Sequence, residues 1–577
     1  MTCPVESRDG GVCIPRVPGP PDLALLGPDG QGRLPGFARV AGFVQRLPTD
    51  GAPASERTAV YLGYDDGALY AVFAAYDRSP GAVRARMVPR ESIGGDDQVT
   101  LLLDTDDDSR RAYAFRTNPL GVQWDALYTE GQGYDTSYDA VWTSEGRVTD
   151  WGYVVRMEIP FKSLRFPPTD EQRWRIVLSR LVSRGSNEDA YWPRVSSAVQ
   201  GTLTQSAPLD GMTDISPGRN LQVIPYATFR SYRALDRGAQ GGPDYVTDLA
   251  EPDAGLDFKA ILDDRFVLDV TANPDFSQVE SDLPQVTVNQ RFEVFYPERR
   301  PFFTENADYF QTPINLLFTR RIQDPQVGTR FTGKAGGWGL GALVIDDQAP
   351  GRTVSDDDPL AGERAWFGTA RVSRDIGRHS TIGGMYVGRE LPGDHNRVGG
   401  LDGRLRFDDH WTSSAQLALS HTDLDGETSG APAYFLSLSR SDRRLSLATS
   451  YTDNGVDNDA RSGFVPRTDI RRFTHFSSFF WRPEDMALVS WGPEFLFQRI
   501  WDHDGTLLDA VTEGSLEWNF VGSSSIEVNS PDAVERLRPI DHPAITETRG
   551  YDIDSWDIEY STSIVDWFSL GGNVRFG

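Results

Sequence analysis

The stretch LDFKAILDDRFVLDVTA, residues 256–272, alternates between apolar and polar residues with a period of two. Leu256, Phe258, Ala260 and Leu262 share one face of a first strand, and Phe266, Leu268, Val270 and Ala272 one face of a second. The two sets meet on a common face only if Leu262 pairs with Phe266 across a three-residue turn, Asp263-Asp264-Arg265. The opposite face carries Asp257, Lys259, Arg265, Asp269 and Thr271, interrupted by Ile261 and Val267. This is a hairpin with one apolar and one polar side.

The pattern recurs downstream. Trp366, Gly368, Ala370 and Val372 answer Ser380, Ile382, Gly384 and Tyr386 across a turn near Asp375-Ile376-Gly377. Leu401, Gly403, Leu405 and Phe407 answer Trp411, Ser413, Ala415, Leu417 and Leu419 across Asp408-Asp409-His410, and Tyr434, Leu436 and Leu438 answer Leu445, Leu447 and Thr449 across Ser441-Asp442. Longer polar segments, Asp346 to Glu363, His421 to Pro432 and Thr452 to Thr468, separate the hairpins. Short turns alternating with long loops, and strands of about nine to eleven residues, predict an antiparallel outer-membrane-type β-barrel over 216–577. Trp366, Tyr386, Trp411, Tyr434 and Tyr451 are candidates for its aromatic girdles. Similar segments give about fourteen to sixteen strands. The chain stops inside a strand-like segment, SLGGNVRFG (569–577), and the expectation is a barrel that is either closed near Phe576 or incomplete in this chain. A large soluble fold such as a propeller is disfavoured, because no blade-length repeat is visible.

Composition narrows the chemistry. The 577 residues carry 57 Lys+Arg against 84 Asp+Glu, a formal charge of −27, which argues against a nucleic-acid partner. Hydrophobic residues are only 39% of the chain, and no apolar run approaches the ~20 residues of a membrane helix. All seven histidines lie at or beyond His379, so the first part of the chain cannot hold a His-based triad or zinc site. The two cysteines, Cys3 and Cys13, can close one small loop in an oxidising compartment. Residues 1–36 are rich in Pro and Gly and lack the apolar region of a secretory signal, Leu23-Ala24-Leu25-Leu26 being the best stretch. They read as a disordered segment of a chain without its native start.

Residues 37–215 alternate in short strands, including Val60-Leu62-Tyr64, Tyr70-Val72-Ala74-Tyr76, Val99-Leu101-Leu103, Tyr153-Val155-Met157-Ile159 and Trp174-Ile176-Leu178, which predict an antiparallel β-sandwich. Two groups there have chemistry. Trp124, Tyr134, Tyr138 and Trp142, with Tyr128 and Trp151, offer flat rings for stacking on sugars; packing inside the sandwich is the competing reading. Asp104, Asp106 and Asp108, with Asp96, Asp97 and Asp107 nearby, offer oxygen ligands of the kind Ca²⁺ takes. The EF-hand glycine and terminal glutamate are absent, and a solvated turn is the competing reading there. Glu130, Asp135, Asp139 and Glu145 supply the residue types of a glycosidase pair, as an acidic chain does by chance.

Several longer stretches carry a family resemblance. YDDGALYAVFAAYD (64–77), DDQVTLLLDTDDDSRRAYAFRTNPLGVQWDA (96–126), EIPFKSLRF (158–166), NPDFSQVESD (273–282), FYPERRPFFTENADYF (295–310) and TRRIQDPQVGTRFTGKAGGWGLG (319–341) resemble the bacterial domain-of-unknown-function 5916 family. The family's signal peptide and IDG…W-type opening are not recognisable, and LPGFARVAGFVQRLP (34–48) stands in their place. The resemblance implies a module similar to carbohydrate-binding module family 9 before an outer-membrane barrel, hence export and, by analogy, glycan binding. Trp124 and Trp142 are the nearest candidates in position for sugar stacking. Asp275, Glu298, Arg299, Arg300 and Glu305 are too polar to face lipid and belong in the lumen or in a plug near 273–310, as a substrate-guiding site or a polar seal. The expected protein binds or passes an oligosaccharide or polysaccharide, with outer-membrane lipid around its barrel. The alternatives are a glycoside hydrolase in carbohydrate catabolism, with catalysis disfavoured, and a non-enzymatic cell-surface structural or assembly protein.

Overall fold

The computed structural model describes residues 10–28, 34–131, 133–136, 138–167, 169–184, 187–216, 221–236, 244–262, 265–274, 291–355, 357–377, 379–483, 487–520, 524–542, 544–565 and 568–577. No described helix is long and apolar enough to cross a membrane. Two bodies of β-structure follow one another along the chain.

The first runs through β1 (Val12–Cys13), β2 (Ala38–Ala41), β3 (Val44–Leu47), β4 (Thr58–Tyr64), β5 (Ala68–Tyr76), β6 (Gln98–Asp104) and β7 (Arg111–Thr117). It continues through β8 (Gln123–Thr129), β9 (Gly133–Asp135), β10 (Thr143–Thr149), β11 (Gly152–Pro160), β12 (Glu171–Val182), β13 (Glu188–Trp192) and β14 (Ala207–Thr213). One sheet has the order β1-β14-β12-β6-β7-β8-β9, with β13 bridging β12 to β3; the other has the order β10-β11-β5-β4-β2. The β4–β5 hairpin shows the local cause. Asp65 accepts hydrogen bonds from the Gly67 and Ala68 amides (2.8 and 2.9 Å), a side-chain turn that reverses the chain between two fully buried strands. Phe73, Phe115, Tyr153, Phe161 and Trp174 fill the space between the sheets. A buried ion cluster ties the edges together. Arg180, 2% exposed, reaches Asp77 at 3.3 Å and the Tyr76 carbonyl at 2.8 Å, and Arg184 reaches Asp97 at 3.2 Å.

Residues 10–28 and 34–36 correct the expectation of disorder over 1–36; the rest of that segment lies outside the described residues. Val12 and Cys13 pair in parallel with Leu209 and Asp210 of β14, and Leu23, Leu26 and Leu34 are buried against Tyr61, Val72 and Tyr76. Few apolar residues suffice, because they cover the outer face of an existing sheet. Cys13 is disulfide-bonded.

The second body is one antiparallel meander. It comprises β15 (Leu221–Asp236), β16 (Asp244–Leu262), β17 (Phe266–Ala272), β18 (Val327–Ala335), β19 (Trp338–Asp347), β20 (Ala365–Ile376), β21 (Ser380–Leu391) and β22 (Asp394–Arg406). Next come β23 (Trp411–Leu424), β24 (Glu427–Ser429), β25 (Pro432–Ser441), β26 (Leu445–Asn454), β27 (Ile470–Phe479) and β28 (Leu488–Trp501). The last are β29 (Leu507–Phe520), β30 (Ser524–Leu537), β31 (Arg549–Asp554), β32 (Trp556–Val565) and β33 (Phe568–Phe576). Each strand pairs with the next, and among the described residues β15 and β33 do not pair to close the sheet. Nineteen strands replace the expected fourteen to sixteen. Part of the excess is β24 and β31, short pieces that only extend hairpins, since β23 also pairs with β25 and β30 with β32. Leu262 opposes Phe266 and Leu401 opposes Leu417, the registers read from the pattern, whereas the turn expected at Asp375-Ile376-Gly377 falls at 377–379, with Ile376 still in the strand opposite Ser380. Trp338, Trp366, Tyr386, Leu401, Tyr434 and Leu436 are exposed on the outer face.

The inner face departs from expectation. Between β17 and β18, residues 303–322 pack on the inside of the sheet. There Phe303, Phe310, Ile314, Leu316 and Ile322 pack against Leu343, Ile345, Phe367, Met385, Val387 and Val398. The plug region therefore has an apolar core, and the wall facing it is apolar too. Burying each such side chain contributes about 1.5–3 kcal/mol.

Candidate functional site

The strongest constellation stands on the outer face of the larger sandwich sheet. Arg116 on β7 lies opposite Trp124 on β8, and Tyr128 on β8 lies opposite Tyr134 on β9. Period two puts Arg116, Trp124 and Tyr128 on one side of the sheet, over Ala112, Ala114 and Ala126. Their neighbours Phe115 and Leu127 point into the sandwich. The Arg116 guanidinium sits 4.3 Å from the centroid of the Trp124 ring and 5.3 Å from that of Tyr134. Trp124 and Tyr134 meet edge to face at 5.2 Å, and Tyr128 and Tyr134 at 4.9 Å. Tyr134 is 43% exposed, so the cluster presents an aromatic surface to solvent.

A polar rim comes from distant sequence. Strand β13 pairs with β3 and brings Tyr191, Asp189 and Arg46 to the same region. The Tyr191 hydroxyl donates to Asp189 at 2.7 Å. Burial raises the Asp189 carboxyl above the usual range, against the opposing effects of Tyr191, Arg46 and Arg116. Flat rings beside a guanidinium and a carboxylate suit a ligand with apolar faces edged by hydroxyls. Sequence reasoning missed Arg116, Tyr191, Asp189 and Arg46. The period-two run RAYAFRT carries a signal for Arg116, whereas the pairing of β3 with β13 has none.

Two of the four predicted aromatic residues go elsewhere. Trp142 is 5% exposed and packs on Phe115 in the core, and its indole donates to Asp125 at 3.1 Å. Tyr138 packs against Tyr113, and its hydroxyl donates to the Ser163 carbonyl at 2.9 Å. Both lie in the connection between β9 and β10 and turn inward from it, Trp142 into the sandwich core and Tyr138 against it.

The acidic run is also otherwise engaged. Asp104, 1% exposed, accepts the Ser109 amide at 2.7 Å and the Asp106 amide at 3.1 Å, and so shapes its own turn. Burial, then the charges of Asp108 and Asp106, push its carboxyl up to about 8. Asp108 pairs with the Lys334 ammonium, which also lies 2.9 Å from Asp375. A lysine thus stands where a cation would be needed, and among the described residues no three acidic, His or Cys side chains converge on a metal position. The hydrolase candidates are scattered likewise. Glu130 accepts the Thr202 and Leu203 amides (2.9 and 2.8 Å), Asp139 pairs with Arg90 at 2.8 Å, and Glu145 pairs with Arg156 at 3.0 Å.

The sheet from β15 to β18, with its inner connection, carries the family signal. Residues 217–334 match the family described as a domain of unknown function, DUF5916. No curated protein matches the chain. Among solved structures, a carbohydrate binding module family 9 from Caldicellulosiruptor kristjanssonii, in complex with cellotriose, is 14% identical. That likeness covers 35% of this chain and 95% of the module, with a TM-score of 0.25. The outer membrane protein opdK from Pseudomonas aeruginosa is 11% identical over 83% of this chain and 99% of its own, with a TM-score of 0.26. OccK11 (OpdR) from the same organism is 11% identical over 86% and 100%, with a TM-score of 0.28. The sandwich lies outside the DUF5916 match.

The predicted polar residues 298–305 lie inside the DUF5916 match. Glu298 accepts the Arg299 and Arg300 amides (both 3.0 Å) and the Arg300 guanidinium at 2.6 Å, and Thr319 donates to it at 2.7 Å. Glu305 pairs with Lys259 of the wall and lies 4.0 Å from Arg330, which holds Asp269 at 2.7 Å. Glu305 ties the connection to the wall, whereas Glu298, Arg300 and Thr319 bond to one another within the connection. Asp275 lies outside the described residues.

Proposed function

We propose that this chain is an outer-membrane β-barrel protein whose sandwich binds a saccharide on the Trp124–Tyr134 surface, in the service of glycan binding or passage. The observation that carries this reading is the half-open pair of rings with Arg116 stacked over Trp124 at 4.3 Å and the Asp189–Tyr191 pair beside it. Sugar rings offer C–H faces to aromatic groups and hydroxyls to charged ones, and this surface supplies both. The outward row of Trp338, Trp366, Tyr386, Leu401 and Leu436 supports lipid as the partner of the sheet, since so large an apolar face in water would be an aggregation hazard. The role is binding rather than catalysis. The test is titration of the detergent-solubilised full chain with a panel of oligosaccharides, followed by tryptophan fluorescence. Saturable quenching that disappears in Trp124→Ala supports the reading, and no response across the panel from a folded protein removes it.

A further inference from the structure

The two ends of the meander differ. At one end the strand termini 262/266, 335/338, 376/380, 406/411, 441/445, 520/524 and 565/568 are separated by only two to four residues; 479/488, also at that end, are farther apart in sequence. At the other end the strand termini 236/244, 272/327, 347/365, 424/432, 454/470 and 537/556 are separated by seven residues or more, and only 391/394 and 501/507 by fewer. The sandwich is fastened to the short-turn end. Arg110 on the β6–β7 turn pairs with Asp375 and donates to the Ser380 carbonyl at 2.8 Å and the Gly377 carbonyl at 3.2 Å. Lys334, just before the 336–337 turn, bridges Asp108 and Asp375. The Gln200 amide donates to the Asp409 carbonyl at 2.6 Å, while Arg406 donates to the Gln200 carbonyl at 2.6 Å and Thr412 to its side chain at 3.0 Å. Three successive turns of the sheet thus grip one end of the sandwich.

We infer that the sandwich, and with it the Trp124–Tyr134 surface, faces the periplasm, and that its ligand is a saccharide already inside the outer membrane. Outer-membrane barrels keep short turns on the periplasmic side and long loops outside. The tether agrees. Only 214–220 separates β14 from β15, and seven extended residues reach at most ~25 Å, less than the ~30 Å hydrocarbon layer. A sandwich held by ion pairs to the short-turn rim cannot also work on the long-loop side. This inference rests on the barrel reading of the proposed function and adds the side on which its site operates.

The experiment uses the full chain in the outer membrane of living Gram-negative cells, with a maleimide too large to cross that membrane. Cys13 is disulfide-bonded, so single cysteines can be read against it. Met87→Cys marks an exposed sandwich position, and Thr428→Cys the long-loop end, on β24. The expected result is labelling of Thr428→Cys in intact cells and loss of labelling for Met87→Cys until the membrane is permeabilised. Labelling of Met87→Cys in intact cells overturns the inference. Migration of the unboiled protein on a gel separates this outcome from failure of the barrel reading. A heat-modifiable protein with Met87→Cys exposed outside is a barrel of the opposite orientation. A protein that fractionates away from the outer membrane and shows no heat shift overturns both.

Discussion

Trp124 and Trp142 are the same residue type on the same sandwich, and their fates diverge. Trp142 is held by Phe115 and by Asp125, a fully buried carboxylate that also accepts the Ala140 amide at 2.6 Å. Trp142→Ala removes a core ring and leaves Asp125 short of a donor; the expected loss is about 3–5 kcal/mol, measured by chemical denaturation of the full chain. Trp124→Ala leaves that stability nearly intact and weakens saccharide binding by about tenfold, the worth of ~1.4 kcal/mol of stacking. The Asp77 carboxylate is buried between Arg180 and Arg184, so Asp77→Asn takes from the buried Arg180 the carboxylate it pairs with, while Arg184 keeps Asp97, and costs about 3–5 kcal/mol by the same measurement. Asp104 sets a pH dependence. An unfolded aspartate releases its proton near ~3.9, whereas the folded Asp104 keeps it up to about 8. Between those values the folded state binds the extra proton, so this group's contribution to stability is present at low pH and is lost as pH rises from about 4 to about 8. The melting temperature of Asp104→Asn is expected to change less than that of the unmodified protein across this window.

At the scale of elements, hairpins were the most legible feature. The pairing of Leu262 with Phe266 follows from side-chain alternation and a three-residue turn alone, because a slip by one residue would turn every apolar side chain to the wrong face. The inner connection was legible only in part. FYPERRPFFTENADYF announces its charges: Glu305 pairs with Lys259 of the wall, while Glu298 and Arg300 pair with each other inside the connection. Its packing was hidden, because Phe303 and Phe310 meet Leu343, Ile345 and Phe367 from strands outside the segment. Glu305→Gln removes the carboxylate that joins Lys259 and Arg330. The expected outcome is a looser plug, read as increased ion conductance of the reconstituted protein in planar bilayers. Unchanged conductance would show that the apolar contacts alone hold the plug.

For the whole molecule, the charge of −27 sits on a chain whose outer sheet face is apolar; acidic residues occupy turns, the inner wall and the sandwich. A protein so arranged is expected to need detergent for extraction and to change its gel migration on boiling, which electrophoresis of boiled and unboiled samples checks. The all-β class, the faces of the strands and most of the turns were determined by the sequence itself, because period two and Asp/Gly turns are local properties of a few residues. Tertiary structure alone decided which aromatic rings stay open, that Lys334 takes the position beside Asp108, that residues 10–28 fold onto the sandwich, and which rim of the sheet the sandwich grips. The partners in those contacts, such as Arg110 and Asp375 or Val12 and Leu209, lie some two hundred residues or more apart. Local pattern carries no information about which distant surfaces meet. Those choices are set by shape and charge complementarity between finished sheets.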